Sequence, residues 1–417
     1  PTHAILSADG VLYITYGNTP GPSRMTDGAV WKYNTKTNQW TDITPEKPTD
    51  ENRFGYAAVS VDAKNPKTLI VSTLYHNPHE QLFRSTDAGK TWRPVFDRQT
   101  TVDYSKAPYV ERTPIHWMFD IEINPADPDH AMITTGYGGY ETFNLSVVDK
   151  DEPTHWSVMS TGIEETVALE LLSPPEGAHL VTAIGDYGGF VHWDLDKPAP
   201  EGNFINPRFG NTDGVACAWQ KPETIVRVGI RAGRDETSNI GYSLDGGKTW
   251  RPASQPDENN ARGHIAVSAD GQAWVWTPQR SVPYVTVDQG NTWTECTGLS
   301  RDMRVVADCL NPGLFYAMDL FGGMIFVSND GGKTFTPQTL KLPGQLPQRG
   351  SRGDTRGGQD RLYAAPHREG DLWLAAFDGL YHSKDAGKTF TQIESVKEMH
   401  GFDLCKCLSR IFRIDRK

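Results

Sequence analysis

Apolar and polar residues alternate in short runs along almost the whole chain, and helical periodicity is nearly absent. "PYVTV" (283–287) and "MIFVS" (324–328) show the pattern, each with side chains pointing to opposite faces in turn. "AILSADGVLYITYG" (4–17) starts inside such a pattern, and "GAVWKYNTKTNQWTDITP" (28–45) reads as strand, turn, strand. The strands run into a recurring octet, S/T-x-D-x-G-x-T-W/F, at 85–92, 243–250, 286–293, 328–335 and 383–390. The aspartates at 245, 288 and 330 are spaced 43 and 42 residues apart, the length of one four-stranded propeller blade.

The octet is first of all a turn. Its aspartate accepts hydrogen bonds from the loop backbone, and its glycine supplies a positive φ. The closing Trp or Phe is then placed to pack between neighbouring sheets. Five equivalent corners point to scaffold rather than to five active sites. Degenerate versions, "HWSVMSTG" (155–162) and "GGFVHWDLDKPAP" (188–200), fill the gaps. The chain thus divides into eight blade-sized units near 1–45, 46–97, 105–162, 163–210, 211–252, 253–295, 296–337 and 338–392. Two stretches, 97–114 and 344–360, are longer than hairpins need, and long loops on a rigid propeller are where binding surfaces are built.

Composition narrows the function. A formal net charge of −11 disfavours a phosphate backbone, so nucleic acid is not an expected partner. No apolar run approaches the roughly 18 residues that span a membrane. Cys217, Cys296, Cys309, Cys405 and Cys407 form no metal-ligand spacing, and no metal or cofactor is expected. A bridge from Cys309 to Cys296 or Cys217 and free buried thiols both remain open. The final "LCKCLSRIFRIDRK" (404–417) is basic and breaks the upstream pattern, so 396–417 is read as an atypical tail.

Octets of this kind are Asp-boxes, shared by sialidases, sortilin-type receptors and several glycosidases. The longer strings are more specific. "SADGVLYITYGNTPGPSRMTDGAVWKYNTKTNQWTDITP", "HWMFDIEINPADPD" leading to "TTGYGGYETFNLS", "GIEETVALELLSPPEGAHLVTAIGDYGGFVHWDLDKP" and "LYAAPHREGDLWLAAFDGLYHSKDAGKTF" together resemble glycoside hydrolase family 74. The resemblance runs from about residue 4 to 395 with its motifs in order. It implies an all-β fold of tandem seven-bladed propellers, both incomplete here. Residues 1–162 would be the last blades of the first propeller, and 163–395 the first five of the second.

The family's enzymes cleave xyloglucan and related β-1,4-glucans of plant cell walls with inversion, as endoglucanases or as reducing-end cellobiohydrolases. The resemblance therefore implies a secreted glycosidase, monomeric when complete. One catalytic aspartate of the family lies in a G-D-x-G-G-F string, matched here by Gly185 to Phe190, which makes Asp186 the candidate general acid. The partner base lies in a T-D-x-G-G string that these 417 residues do not contain, so the fragment alone is expected to be inactive or impaired. Inversion uses two carboxyls about 6.5–9.5 Å apart, with a water between one of them and the sugar. A proton donor must hold its proton near the working pH, which burial against Phe190 and Tyr187 would favour.

Gly188 and Gly189 are expected to let a sugar chain pass close to the backbone. Trp117, Tyr137 and Tyr140 are candidate stacking platforms, Trp117 above all because it follows the long loop. Trp193, Trp219 and Trp276 suit blade packing better. Asp213, in "GNTDGVACA", is placed to line the same face as Asp186. His116 stands where the family more often has glycine. The competing reading is a non-catalytic Asp-box propeller, sortilin-like or polysaccharide-binding. A sialidase would need an F/Y-R-I-P string, which "ERTPIHW" (111–117) is not.

Overall fold

The computed structural model describes residues 1–163, 166–343, 361–376 and 378–397, together with 399, 402 and 404. The 344–360 stretch, Cys405, Cys407 and most of the 396–417 tail lie outside the described residues.

Almost every regular element is a strand, and consecutive strands pair as antiparallel meanders in eight sheets. The chain divides into two compact units, Pro1–Glu165 with three sheets and Thr166–Lys417 with five. Among the described residues no helix is long and apolar enough to cross a membrane.

Burial within each sheet follows strand order. Leu69–Leu74, a second strand, is buried at every position, because both of its faces meet neighbouring sheets. The outermost strands, such as Gln39–Asp42 and Arg93–Pro94, are exposed throughout. The period of two assigns alternate residues to different interfaces. On Lys221–Arg231, Ile225 joins Val181, Val191 and Cys217 in one core, whereas Val226 and Val228 join Ile265, Trp274 and Trp276 in the next. Four such cores lie between the five sheets of the second unit. The first strands of those five sheets line one cavity of about 600 Å³.

Two sheets depart from four strands. Part of the 97–114 loop, Thr101–Asp103, runs parallel to His155–Val158 and makes the third sheet five-stranded. The fourth sheet has three strands, Ala168–Leu172, Leu180–Ile184 and Gly188–His192. Where its fourth strand would pair, a single bridge joins Phe190 to Asn203. Pro198 and Pro200 lie just before that point, and neither can donate to a ladder.

The octets form the turns that their residues suggest. Asp288 Oδ1 accepts from the Thr286 hydroxyl (2.7 Å) and the Thr292 N–H (2.9 Å), and Oδ2 accepts from the Thr292 hydroxyl (2.6 Å). Asp87 and Asp385 repeat this set at 2.7–2.9 Å. The closing tryptophans tie sheets together. Trp92 Nε1 donates to Ile43 O in the preceding sheet (2.8 Å).

All three described cysteines, Cys217, Cys296 and Cys309, are free and buried, so neither bridge considered from the sequence is present. Burial pushes the Cys217 and Cys296 thiols up to about 12, which makes them inert packing groups.

Candidate active site

The hairpin of Leu180–Ile184 and Gly188–His192 pairs Ile184 with Gly188, so Gly185, Asp186 and Tyr187 form its turn. Asp186 has φ +68°, a left-handed conformation that costs most side chains about 1–2 kcal/mol and that aspartate, like asparagine, adopts more readily than most. The turn is fastened at three points. Gly185 N–H donates to Val167 O (2.9 Å), Tyr187 N–H to Gly185 O (2.8 Å), and Asp186 N–H to Asn211 Oδ1 (3.0 Å).

This geometry turns Tyr187 inward, where it is buried, and lifts Asp186 outward, where it is exposed. The burial of Asp186 expected against Phe190 and Tyr187 is therefore not found. Gly188 and Gly189 also differ from expectation. Both are buried, and a Cβ on Gly189, at φ +139°, would lie 1.9 Å from Thr182 O and 2.6 Å from the Phe204 ring. The hairpin's own packing, rather than a passing sugar, demands glycine there.

Asp186 stands on a cavity of about 520 Å³ with Asn211, Asp213, Arg262, His264 and Arg361. Arg262 Nη1 is 3.3 Å from Asp213 Oδ1. Burial nevertheless dominates at Asp213 and pushes its carboxyl up to about 6, against the opposing pull of Arg262. His264 is held well below its ordinary value, first by burial and then by the Arg304 and Arg361 cations, so its imidazole is neutral. Behind this wall, Glu170 bonds Arg304, accepts the Val215 N–H (3.1 Å) and lies 3.9 Å from Arg361. The cavity thus presents two exposed carboxyls, Asp186 and Asp302, beside guanidinium and amide donors, a set suited to neutral polyols.

In the first unit, a separate cavity of about 710 Å³ is lined by Tyr75, His76, His79, Phe96, His116 and Trp117. Trp117 (φ +56°) and Tyr75 (φ +75°) are both left-handed. One buried group fixes both: Glu80 accepts the Trp117 N–H and, at 2.7 Å, the Tyr75 N–H, with the Thr73 hydroxyl at 2.8 Å. The His116 ring lies 4.5 Å from Trp117 and 4.7 Å from Tyr137, so the three rings form one aromatic surface.

Tyr140 does not belong to that surface. It is 0% exposed, paired opposite Ile133 inside the sheet, and offers no face to a sugar. Trp276 is likewise core, although its Nε1 donates to Arg262 O (2.9 Å) and so helps fix the Arg262 turn. Trp193 lies under Lys248 and bonds Glu201, and Trp219 lines the central cavity of the second unit.

Sequence reasoning missed Glu80, Asn211 and Arg262. Arg262 and Asp213 are 49 positions apart, and no local pattern marks them as partners.

No family model matches the chain. A xyloglucanase from a Paenibacillus species is 38% identical, over 95% of this chain and 40% of that protein. An oligoxyloglucan-reducing end-specific xyloglucanase from Emericella nidulans is 33% identical, over 94% of this chain and 56% of that protein. Among solved structures, a GH74 xyloglucanase from Xanthomonas campestris matches with a TM-score of 0.77 and 31% identity, over 94% of this chain and 62% of that one. The chain therefore spans about half the length of the curated relatives it matches, 40% and 56% for these two.

Proposed function

The chain belongs to glycoside hydrolase family 74, and from that premise we infer that it forms part of an enzyme hydrolysing xyloglucan outside the cell. Residues 1–162 are assigned to the closing blades of one propeller, 163–395 to the opening five of the next, and 396–417 to a tail. Asp186 acts as general acid and protonates the leaving glycosidic oxygen. The carboxylate that activates water has to come from a T-D-x-G-G string, which these 417 residues lack. Hydrolysis then proceeds with inversion, the two groups acting on opposite faces of the sugar.

The observation that supports this reading best is the presentation of Asp186. A left-handed turn, fastened at Gly185, Asp186 and Tyr187, lifts one carboxyl to the edge of a cavity that also holds Asn211, Asp213, Arg262, Asp302 and Arg361. Because that carboxyl is exposed, it is open to the glycosidic oxygen of a sugar bound in the cavity. The aromatic surface of Trp117, His116 and Tyr137 supplies a platform in the first unit, and the exposed polar cavity supplies hydroxyl contacts in the second.

The test is turnover of xyloglucan by these residues alone and by the same residues joined to the family blades that carry the T-D-x-G-G string. Reducing ends and the anomer first released are measured. Negligible turnover is expected alone. Inverting hydrolysis is expected for the extended protein, with a loss of about 10²-fold or more in its Asp186→Asn variant. An extended Asp186→Asn protein that cleaves at the full rate would return Asp186 to the role of a turn residue.

A further inference from the structure

Asp213 lies where the strand Phe209–Ala218 leaves regular pairing. Thr212 is opposite Gly229 and Gly214 is opposite Val228, so Asp213 has no partner and forms a bulge. The same strand slips again between Phe209 and Asn211. Bulges bend a strand and re-aim its side chains. These two send Asn211 to the Asp186 N–H and Asp213 to Arg262. The backbone of this strand lies hard against the Arg262 segment, since a Cβ on Gly214 would be 3.1 Å from both Gly263 O and His264 Cα.

We propose that Asp213 is a positioning residue of the Asp186 site, holding Arg262 at the cavity so that its guanidinium donates to hydroxyls of the bound glucan. Ionised, Asp213 fixes Arg262; protonated, it releases it. The proposal rests on the xyloglucan reading and adds to it a residue, a partner and a pH at which the pair lets go.

The pair is suited to such a change. Arg262 is 37% exposed, whereas Asp213 is 17% exposed, and its Oδ2 is buried with no partner among the described residues. A half-satisfied carboxylate out of water takes up a proton readily, in line with its rise to about 6. The charges around it come from every side. Asp186 on the hairpin turn, Asp302 in the segment before Val305–Ala307 and Arg361 at the start of Arg361–Ala364 line the same cavity. His264 is neutral there, and Arg304 is engaged by Glu170. On the paired strand Arg227 faces away, caged by Phe204, Phe209 and Trp250.

The experiment is calorimetric titration of the 417-residue protein with a xyloglucan oligosaccharide between pH 4.5 and 7.5. Wild type is compared with Asp213→Asn, Asp213→Glu and Arg262→Gln, each first shown folded by circular dichroism. Wild-type affinity should fall about tenfold as pH drops through 6, the scale of one charge-assisted hydrogen bond. Asp213→Asn and Arg262→Gln should be weak and flat with pH, and Asp213→Glu should restore a pH-dependent curve. A wild-type curve flat with pH, or an Asp213→Asn variant with the wild-type profile, overturns the proposal alone. Absence of binding by wild type at every pH overturns the xyloglucan reading together with it.

Discussion

At the octet corner 286–293, both carboxyl oxygens of Asp288 accept hydrogen bonds from the turn, while at the cavity of the second unit Asp213 leaves one oxygen buried with no partner among the described residues. The same side chain consequently behaves in opposite ways. The Thr292 hydroxyl, then the Thr292 N–H and the Thr286 hydroxyl, hold Asp288 down to about 2, whereas burial lifts Asp213 to about 6. Asp186 differs from both, with its backbone fastened and its carboxyl exposed. At Asp87, Asp288 and Asp385 both carboxyl oxygens are tied to the turn by hydrogen bonds, which commits these groups to the fold. Where hydrogen bonding is left incomplete inside a cavity, the group is available for binding or proton transfer, at a cost in stability.

The largest stability effect that would sharpen this contrast belongs to the backbone beside Asp186. Gly189→Ala should cost on the order of 3 kcal/mol or more, since its Cβ meets Thr182 O at 1.9 Å and its φ is +139°. Thermal unfolding checks this. A Gly189→Ala protein that stayed equally stable but bound glucan poorly would make the glycine a feature of the site instead of the fold.

A similar magnitude applies to pH. The folded-state value of Asp213 is raised from 3.8 to about 6, so its contribution favours folding least when it is ionised. Relative to Asp213→Asn, wild type should be at its best below about pH 4. It should lose roughly 3 kcal/mol as pH rises from there through 6, at about 1.4 kcal/mol for each pH unit between the unfolded and folded values. Denaturant unfolding at pH 4 and pH 8 measures the difference. Equal stability gaps at the two pH values would contradict the account.

Smaller effects follow. Asp330→Ala removes bonds from the Ser328 hydroxyl and the Thr334 and Lys333 N–H groups and should cost about 1–3 kcal/mol, with glucan affinity unchanged. An Asp330→Ala protein that melts like wild type but binds no glucan would erase the distinction between corner and cavity. Trp117→Ala should weaken glucan binding about tenfold or less, the scale of one aromatic contact. Titration calorimetry would read this, and an unchanged affinity would remove Trp117 from the platform.

Much of the fold was legible because its signals are local. The octets fix corners at a blade-length period, and alternation between them fixes strands. The five sheets of the second unit could be counted from Asp245, Asp288 and Asp330 and their neighbours in the sequence alone. The site was legible only in part. Asp186 stands out in a six-residue string, but the bulge at Asp213 is a matter of register, which composition does not encode. Arg262 is brought to it by the packing of one sheet against the next, and Glu80 reaches Trp117 from 37 positions away. Alternation showed that Tyr140 faces one side of its sheet, yet not that this side is the buried one. The need for glycine at 189 was not legible either, because the approach of Thr182 O to its Cβ position exists only once the hairpin closes.

The central claim is that the cavity of Asp186 and Arg262 in the second unit, not the corner aspartates, meets the glucan. Its most direct test is a crystal of these residues grown with a xyloglucan oligosaccharide. Sugar density is expected in the cavity of about 520 Å³, with hydroxyls within hydrogen-bond reach of Asp186 and Arg262. Ordered sugar seated on the octet corners, with that cavity holding none, would contradict it.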